Sequence, residues 1–158
     1  MMAKFEIKID LKQFDKVIET TKEQIKEGIE QGLLVCAKEV QQVERRFIEL
    51  TTGKGKYTPT GQLKNSITIM PIQWSPYSAS ITIEPTGSGA DYARFVNEGT
   101  GEHHPQGRDG GWYYTPDEGV TWYFTWGIRP HYFIDKTYDY IKPKAKPIIE
   151  EQIYKCIR

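Results

Sequence analysis

The chain has 158 residues, with 21 basic and 21 acidic side chains, so its formal net charge is zero. This length suits one domain with a sizeable core, and we expect a single domain over residues 1–158. The balanced charge excludes a global electrostatic attraction to nucleic acid or to an acidic membrane. Cys36 and Cys156 lie far apart in sequence and form no metal-binding pair, so we expect both to be reduced, buried thiols.

Two observations bear on the cellular compartment. No apolar run reaches the length of a membrane-spanning helix. The charged start, residues 1–6, lacks the apolar centre of a signal peptide. We therefore expect a protein that is made and used in a cytoplasm.

The N-terminal segment predicts a strand that leads into a helix. Apolar and charged residues alternate over residues 4–9, which is the period of a half-buried strand. The apolar members are Phe5, Ile7 and Ile9. Asp10 can then cap a helix, with Gln13 at the capping-box position.

The predicted helix is long and amphipathic, with one apolar stripe along about ten turns. The stripe consists of Phe14, Val17, Ile18, Ile25, Ile29, Leu33, Ala37, Val40, Val43 and Phe47. Gly28 and Gly32 are possible bends. The ordinary interpretation is a helix that packs on a sheet. The alternative, which the unusual length favours, is a stripe that also meets a neighbouring subunit.

Residues 51–60 are rich in glycine, lysine, threonine and proline, and they predict a surface loop. The segment Gly53-Lys54-Gly55-Lys56 lacks the spacing and the preceding strand of a phosphate-binding loop. Contact of this loop with nucleic acid is the less favoured alternative. Thr60 can cap a short turn at residues 61–65.

Residues 66–84 predict an antiparallel hairpin. The alternation of Ile67 and Ile69 loses its phase around the Met70-Pro71 pair, which is typical of a bulge or an edge strand. A turn at residues 75–78 leads to the second strand. Its residues on one face are Ala79, Ile81 and Ile83.

A short helix is predicted next, capped by Asp91 and ended by Gly99. Arg94 and Glu98 are four residues apart and can form an ion pair on its surface. The residues predicted to share one face of this helix are Tyr92, Phe95 and Val96.

The polar, glycine-rich segment over residues 99–111 is a long loop, and long loops are commonly functional or disordered. We expect it to be mobile in the free protein and ordered on assembly. Its candidate metal ligands are Glu98, Glu102, His103, His104 and Asp109. Their spacing matches no known zinc motif, and no nucleophile lies in a catalytic turn. We therefore expect no metal, no cofactor and no catalytic residue.

Residues 112–126 predict a second hairpin, in which the turn 116–119 joins strands over residues 112–115 and 120–126. On the second strand Trp122, Phe124 and Trp126 are predicted on one face, and Thr121, Tyr123 and Thr125 on the other. One face is expected to pack in the core.

Tyr113, Tyr114 and Tyr123 cannot all lie on that buried face, so aromatic surface is left over. These tyrosines can be structural residues with hydroxyls in water, parts of a protein interface, or a stacking platform for a sugar or base. We take Tyr113, Tyr114 and Tyr123 as the candidate assembly interface.

A C-terminal helix is predicted to start at Pro130, with Pro143 and Pro147 producing a bend or two shorter helices. Its apolar residues are Ile134, Tyr138, Ile141, Ala145, Ile148, Ile149, Ile153, Cys156 and Ile157. The predicted fold class is α+β, a mainly antiparallel sheet packed by the long N-terminal helix and the C-terminal helix.

Three short motifs together resemble one protein family. They are TG-x-L-x-x-S-I at residues 60–67, YA-x-x-V-x-x-GT at residues 92–100 and G-x-x-P-x-x-F at residues 127–133. In this order and spacing they resemble the small head-tail joining, or tail-completion, proteins of long-tailed bacteriophages. The resemblance covers residues 58–135, and the N-terminal helix matches only in type. The sequence departs from the pattern at His131-Tyr132 and in its long loop.

The resemblance implies a non-enzymatic structural protein of a phage or prophage virion. Such a protein forms a ring at the neck that joins head to tail, or it completes the tail. The implied partners are other copies of the chain and other neck, connector or tail proteins. No membrane is implied, and proximity to packaged DNA is at most non-specific. Assembly would take place in the cytoplasm of the bacterial host.

Two further classes of function stay open from the sequence. A carbohydrate-binding module would use the aromatic hairpin as its platform. A small hydrolase would use the loop that contains His103 and His104.

Overall fold

The computed structural model describes residues 4–10, 22–51, 61–115 and 119–157. The strands are β1 (Phe5–Asp10), β2 (Ile67–Ile69), β3 (Gln73–Ser75), β4 (Ser78–Pro85), β5 (Trp112–Tyr114) and β6 (Tyr123–Thr125). The α-helices are α1 (Lys22–Thr51), α2 (Gln62–Ser66), α3 (Ser88–Glu98) and α4 (Phe133–Cys156), with a short 3-10 turn at Gly101–His103. The predicted α+β class is confirmed: antiparallel sheets are packed by a long N-terminal helix and a C-terminal helix.

The main sheet is built around β4, which pairs antiparallel with β1 on one side and with β2 and β3 on the other. The predicted alternation is confirmed in β1 and β4, because their apolar residues are buried on one face. These residues are Phe5, Ile7, Ile9, Ala79, Ile81 and Ile83. Cross-strand pairs such as Ile7 with Ile81 lie on the buried face of the sheet, and α1 packs on this sheet through β4.

The predicted bulge is confirmed between β2 and β3. Ile69 pairs with Ile83 and Gln73 pairs with Ser80, so the first strand has one more residue than β4 over this interval. Met70 restores contact by donating its backbone N–H to the Thr82 carbonyl at 2.8 Å. An extra residue reverses the side-chain phase, which explains the loss of alternation in the sequence.

Helix α1 buries four of the seven described stripe residues in the core, namely Ile29, Leu33, Ala37 and Val40. Val43 and Phe47 are half-buried, whereas Cys36 is buried as predicted. Burial raises the pKa of the Cys36 thiol to about 11. Cys156 is only half-buried, so the prediction of two buried thiols holds for one of them. The stripe residues before position 22, the Asp10 cap with Gln13, and the loop 52–60 with the Thr60 cap lie outside the described residues.

Gly28 and Gly32 bring α4 close to α1, and α1 continues through both positions as a single helix. A Cβ at Gly28 would lie 2.6 Å from Ile153 Cα, and one at Gly32 would lie 2.9 Å from Ile149 Cα. These glycines therefore allow a close helix contact and do not interrupt α1. Absence of a side chain lets the two backbones approach, as small residues do at other helix interfaces.

Helix α4 begins at Phe133 and not at Pro130, and it includes Pro143 and Pro147 in one helix. The two shorter helices allowed by the sequence are therefore not formed. Both prolines are exposed, so the ring clash and the missing N–H fall on the solvent side. Ile141 and Ile149 are buried on the opposite side and hold the helix to α1 across the interruption.

Helix α3 begins at Ser88, earlier than the predicted cap at Asp91. Gly87 has φ 58 and reverses the chain just before the helix, so Asp91 lies inside it. The predicted end at Gly99 is confirmed. Val96 is buried together with Ala93, whereas Tyr92 and Phe95 are exposed, so the three predicted residues do not share a buried face.

Replacing Gly28 with alanine tests the helix contact. Alanine favours an isolated helix by about 1 kcal/mol, but here its Cβ meets backbone atoms that can move only with the whole of α4. We expect a net loss of about 1–2 kcal/mol in the free energy of unfolding, measured by urea denaturation. Glu23→Ala, on the exposed side of α1, is the control and is expected to change little. An equally stable or more stable G28A protein would contradict the close contact.

Glu44 is a buried acidic residue of α1. Its side chain is 2% exposed, and its Oε2 has no hydrogen-bond partner among the residues that the structure describes. Burial raises the pKa of Glu44 from 4.5 to about 8. The folded chain therefore keeps this proton over a range in which the unfolded chain has lost it. As a result, the contribution of Glu44 to the free energy of unfolding falls as pH rises through this range and levels off above it.

Glu44→Gln removes the titration and leaves a neutral side chain of similar shape. Between about pH 5 and about pH 8 we expect its stability to increase relative to the wild type, by an amount on the order of a few kcal/mol. Urea denaturation across this range provides the measurement. Glu23→Gln, at an exposed position of the same helix, controls for loss of one charge. Parallel stability profiles for E44Q and the wild type would contradict a protonated Glu44.

Candidate assembly interface

The aromatic hairpin is a separate two-stranded sheet made by β5 and β6. Trp112 pairs with Thr125, Tyr113 with Phe124 and Tyr114 with Tyr123. The second strand is shorter than predicted, because it starts at Tyr123 and not at Val120.

The connection that replaces the predicted tight turn is wider. The Gly119 N–H donates to the Thr115 hydroxyl at 2.8 Å, so these residues close a loop and do not extend the ladder. Val120 and Trp122 lie in this loop and are exposed. The rest of the predicted turn, residues 116–118, lies outside the described residues.

Aromatic rings occupy both faces of the hairpin. On one face Phe124 contacts Tyr113 and Trp126 edge to face, with ring centroids 5.1 Å apart in each pair. On the other face Tyr114 and Tyr123 lie with ring centroids 5.8 Å apart. The three candidate tyrosines are therefore divided, with Tyr113 on the first face and the other two on the second.

Most of the aromatic rings on both faces are exposed, although Trp112 is half-buried against Gly101. Tyr113 is 67% exposed and Trp122 is 61% exposed, and Tyr114, Tyr123, Phe124 and Trp126 are also exposed. The expectation that one face packs in the core is wrong. Alternation over residues 120–126 describes two different faces, but it does not say whether the main sheet or another molecule covers either of them.

The hairpin is held at its base by the start of the long loop. Thr100 donates its backbone N–H to the Ile128 carbonyl at 2.9 Å, and its hydroxyl accepts the Ile128 N–H at 2.9 Å. Glu102 donates its N–H to the Trp126 carbonyl at 3.2 Å. Gly101 has φ 60 and is buried against the Trp112 ring. The loop predicted to be mobile is thus anchored in its first turn.

The first and second motifs meet where α2 packs on α3. Leu63 and Ile67 are buried, and the Ser66 hydroxyl donates to the Leu63 carbonyl at 2.8 Å. The Ser66 carbonyl accepts the Thr86 N–H at 3.0 Å. Gly89 of α3 lies so close to Ser66 that a side chain there would clash. These motif residues therefore serve the packing of the two helices.

The second and third motifs meet where α3 leads towards α4. The buried Asn97 accepts the Ile134 N–H on its side-chain oxygen at 3.1 Å, which caps the start of α4. The Val96 and Asn97 carbonyls accept the N–H groups of His131 and Tyr132. These bonds keep both residues out of the helix, which explains its later start. Sequence reasoning missed Asn97, because the N–H group that it caps lies 37 residues further along the chain.

The start of the long loop, around His103 and His104, is held by polar contacts with the end of α3. Glu98 accepts a hydrogen bond from Arg94 at 3.0 Å and lies 3.6 Å from His104 Nε2. The Arg94 bond, together with His104, lowers the pKa of the Glu98 carboxyl. His104 Nδ1 accepts the Gln106 N–H at 3.1 Å. The predicted Arg94–Glu98 pair is confirmed, and both ring nitrogens of His104 are engaged in holding the loop.

Over the ranges described, the structure contains no group of three or more His, Cys, Asp or Glu residues that could hold a metal ion. Likewise, no helix in these ranges is long and apolar enough to cross a membrane.

No protein-family model, curated protein or solved structure matches the chain. The motif resemblance is therefore an expectation from the sequence alone.

Tyr132 is strained at the start of α4. Among the described residues it is the one non-glycine residue with positive φ, with φ 50 and ψ 39, and its side chain is exposed. A left-handed conformation costs a bulky residue roughly 1–2 kcal/mol. The strained residue lies directly before Phe133, the first residue of α4.

Two replacements of Tyr132 separate backbone strain from loss of the ring. Tyr132→Gly and Tyr132→Ala both remove the side chain, but only glycine adopts positive φ without steric cost. We expect the glycine variant to exceed the alanine variant by about 1 kcal/mol in the free energy of unfolding. Chemical denaturation of the pair measures this difference. Equal stability of the two variants would contradict a strained backbone at this position.

Proposed function

We propose that this chain is a non-enzymatic structural subunit of a phage or prophage virion. It forms a ring at the neck that joins head to tail, or it completes the tail. The observation that carries the proposal is the aromatic hairpin, which has exposed aromatic rings on both faces. The motif resemblance supplies the phage context for this interface.

The hairpin has the properties of a contact surface. An isolated two-stranded hairpin is at best marginally stable in water, so a partner that covers its faces would stabilise it. Its strands, β5 and β6, contain no charged residue. Tyrosine and tryptophan are enriched at interfaces, whereas charged residues are depleted from interface cores. Large exposed apolar patches commonly mark sites of protein association.

The proposed arrangement follows from the symmetry of a virion neck. Subunits around a tail axis are related by rotation, so one surface of each subunit meets a different surface of the next and closes a ring. The partners are other copies of the chain and other neck, connector or tail proteins. The neutral net charge suits a role without specific DNA binding. The proposed location is the virion, after assembly in the host cytoplasm.

A carbohydrate-binding module is the second candidate. The exposed rings of Trp122, Trp126 and Tyr123 are the specific observation that favours it, because sugars stack on flat aromatic surfaces. Titration of tryptophan fluorescence with oligosaccharides distinguishes the two functions. Saturable binding that is lost in Trp122→Ala would favour the carbohydrate module.

Single alanine replacements of Tyr113, Tyr114 and Tyr123 test the proposed interface in the virus. All three are exposed, so we expect the variants to fold normally. Truncation of a central interface aromatic costs about 2 kcal/mol or more of binding energy, so incorporation into particles should fall for at least one variant. Circular dichroism checks folding, and the subunit content and infectivity of purified particles measure assembly.

Tyr154→Ala is the matched control, because Tyr154 is a similarly exposed tyrosine on α4. It should leave both subunit content and infectivity unchanged. Fully infectious particles from all three hairpin variants would contradict the proposed contact face.

A further inference from the structure

An open groove follows the outer side of α1 next to Tyr140 of α4. It has a volume of about 490 Å³. Val35 and Val43 contribute apolar surface to it, with Lys38, Glu39, Arg46 and Tyr140 around them. Val35 is exposed although the opposite side of α1 fills the core. The groove thus combines an uncovered apolar patch with charged residues.

The free charge in this groove is positive. Lys144 lies 3.6 Å from Glu39 and 3.4 Å from the centre of the Tyr140 ring, so the one acid in the lining is already paired. In the part of the chain that the structure describes, neither Lys38 nor Arg46 forms a salt bridge. The two cations are therefore available to a ligand that accepts positive charge.

The hairpin has complementary electrostatics. Its strands carry no ionic side chain, and its exposed rings present the electron-rich faces that attract Lys and Arg. The chain uses the same pairing elsewhere, with Lys26 5.1 Å from the centre of the Trp74 ring and Lys142 5.3 Å from that of Tyr138. Aromatic rings between apolar surface and two cations would gain both hydrophobic and cation–π stabilisation.

Among the described residues, none from the hairpin lines this groove in its own subunit. Its strands pack chiefly on each other, and α1 packs chiefly on α4 and the main sheet. A hairpin and a groove in different places on one subunit give a head-to-tail contact between copies.

We infer that the aromatic hairpin of one copy docks in the α1 groove of the next copy, with Trp122 near Lys38 and Arg46. This inference rests on the proposed function, because it identifies which surface of a neighbouring subunit receives the hairpin. Val35 and Val43 supply the apolar contact, and the two cations face the aromatic rings.

Two variants separate the two sides of the contact. The hairpin variant is Trp122→Ala, which removes an exposed ring. The groove variant combines Lys38→Glu with Arg46→Glu, which reverses both free charges and keeps good helix formers. The charge-matched control is Lys8→Glu with Lys22→Glu, at exposed positions outside the groove that form no salt bridge with another described residue. Circular dichroism and thermal unfolding confirm that each variant is folded.

Sedimentation velocity of purified protein over a range of concentrations measures association. We expect the wild type and the control to self-associate, and each of the other two variants to associate at least about tenfold more weakly. Mixing those two in equal amounts should restore a dimer, because the groove variant still carries an intact hairpin and the hairpin variant an intact groove. The restored species should stop at two chains, since the remaining hairpin and groove are both defective.

Other occupants give different results. Association lost in W122A but unchanged in the groove variant would indicate hairpin-to-hairpin pairing and would overturn the inference. A groove variant with lower thermal stability as a monomer and unchanged association would indicate that the groove is covered within its own chain, with the same consequence. A wild type that stays monomeric at every concentration would also overturn it.

The particle experiment distinguishes failure of this inference from failure of the proposed function. If hairpin variants are excluded from particles although self-association is unchanged, the neck function holds and the hairpin binds a different virion protein. If self-association follows the expected pattern but every variant forms infectious particles, the head-to-tail contact holds and the proposed virion function fails.

Discussion

The junction between α3 and α4 is the constraint on which the rest of the structure depends. Asn97 is buried and caps α4 with its side-chain oxygen, and Gly99 reverses the chain at φ 82 directly behind it. Thr100 then pairs with Ile128 through two hydrogen bonds. A buried amide left without its partner costs about 1–3 kcal/mol, so this arrangement has few alternatives. It fixes the start of α4 and the base of the hairpin together.

With α4 fixed at its start, the glycines of α1 determine how closely the two helices pack. The resulting core is almost entirely aliphatic. Among the described residues, Phe5 and Phe133 are the only aromatic side chains in it, whereas tyrosines and tryptophans lie outside. Tyrosine and tryptophan keep a polar group that needs a partner, so they suit surfaces that become partly buried on association. This division supports an interpretation of the hairpin as a surface for assembly.

The sequence predicted those elements in which the spacing of apolar residues follows from one buried face. The alternation of β1 and β4, the stripe of α1 and the bulge near Met70 all depend on one sheet and one core. The later start of α4 was not predictable, because it depends on hydrogen bonds from residues 131–132 to α3, more than thirty residues away in sequence. The role of Gly28 was not predictable either, because the backbone that it lets approach is that of Ile153 in α4.

The pattern located the candidate tyrosines of the hairpin but could not show whether its faces are covered. Alternation predicted two aromatic faces, and the structure has two, with Tyr113 on one and Tyr114 and Tyr123 on the other. The pattern carries no information on whether a face is covered within the chain or by a neighbour. A flat partner could cover only one of these faces. A contact that covers both requires either a groove or two neighbours, and a closed ring built head to tail supplies neighbours on both sides of every subunit.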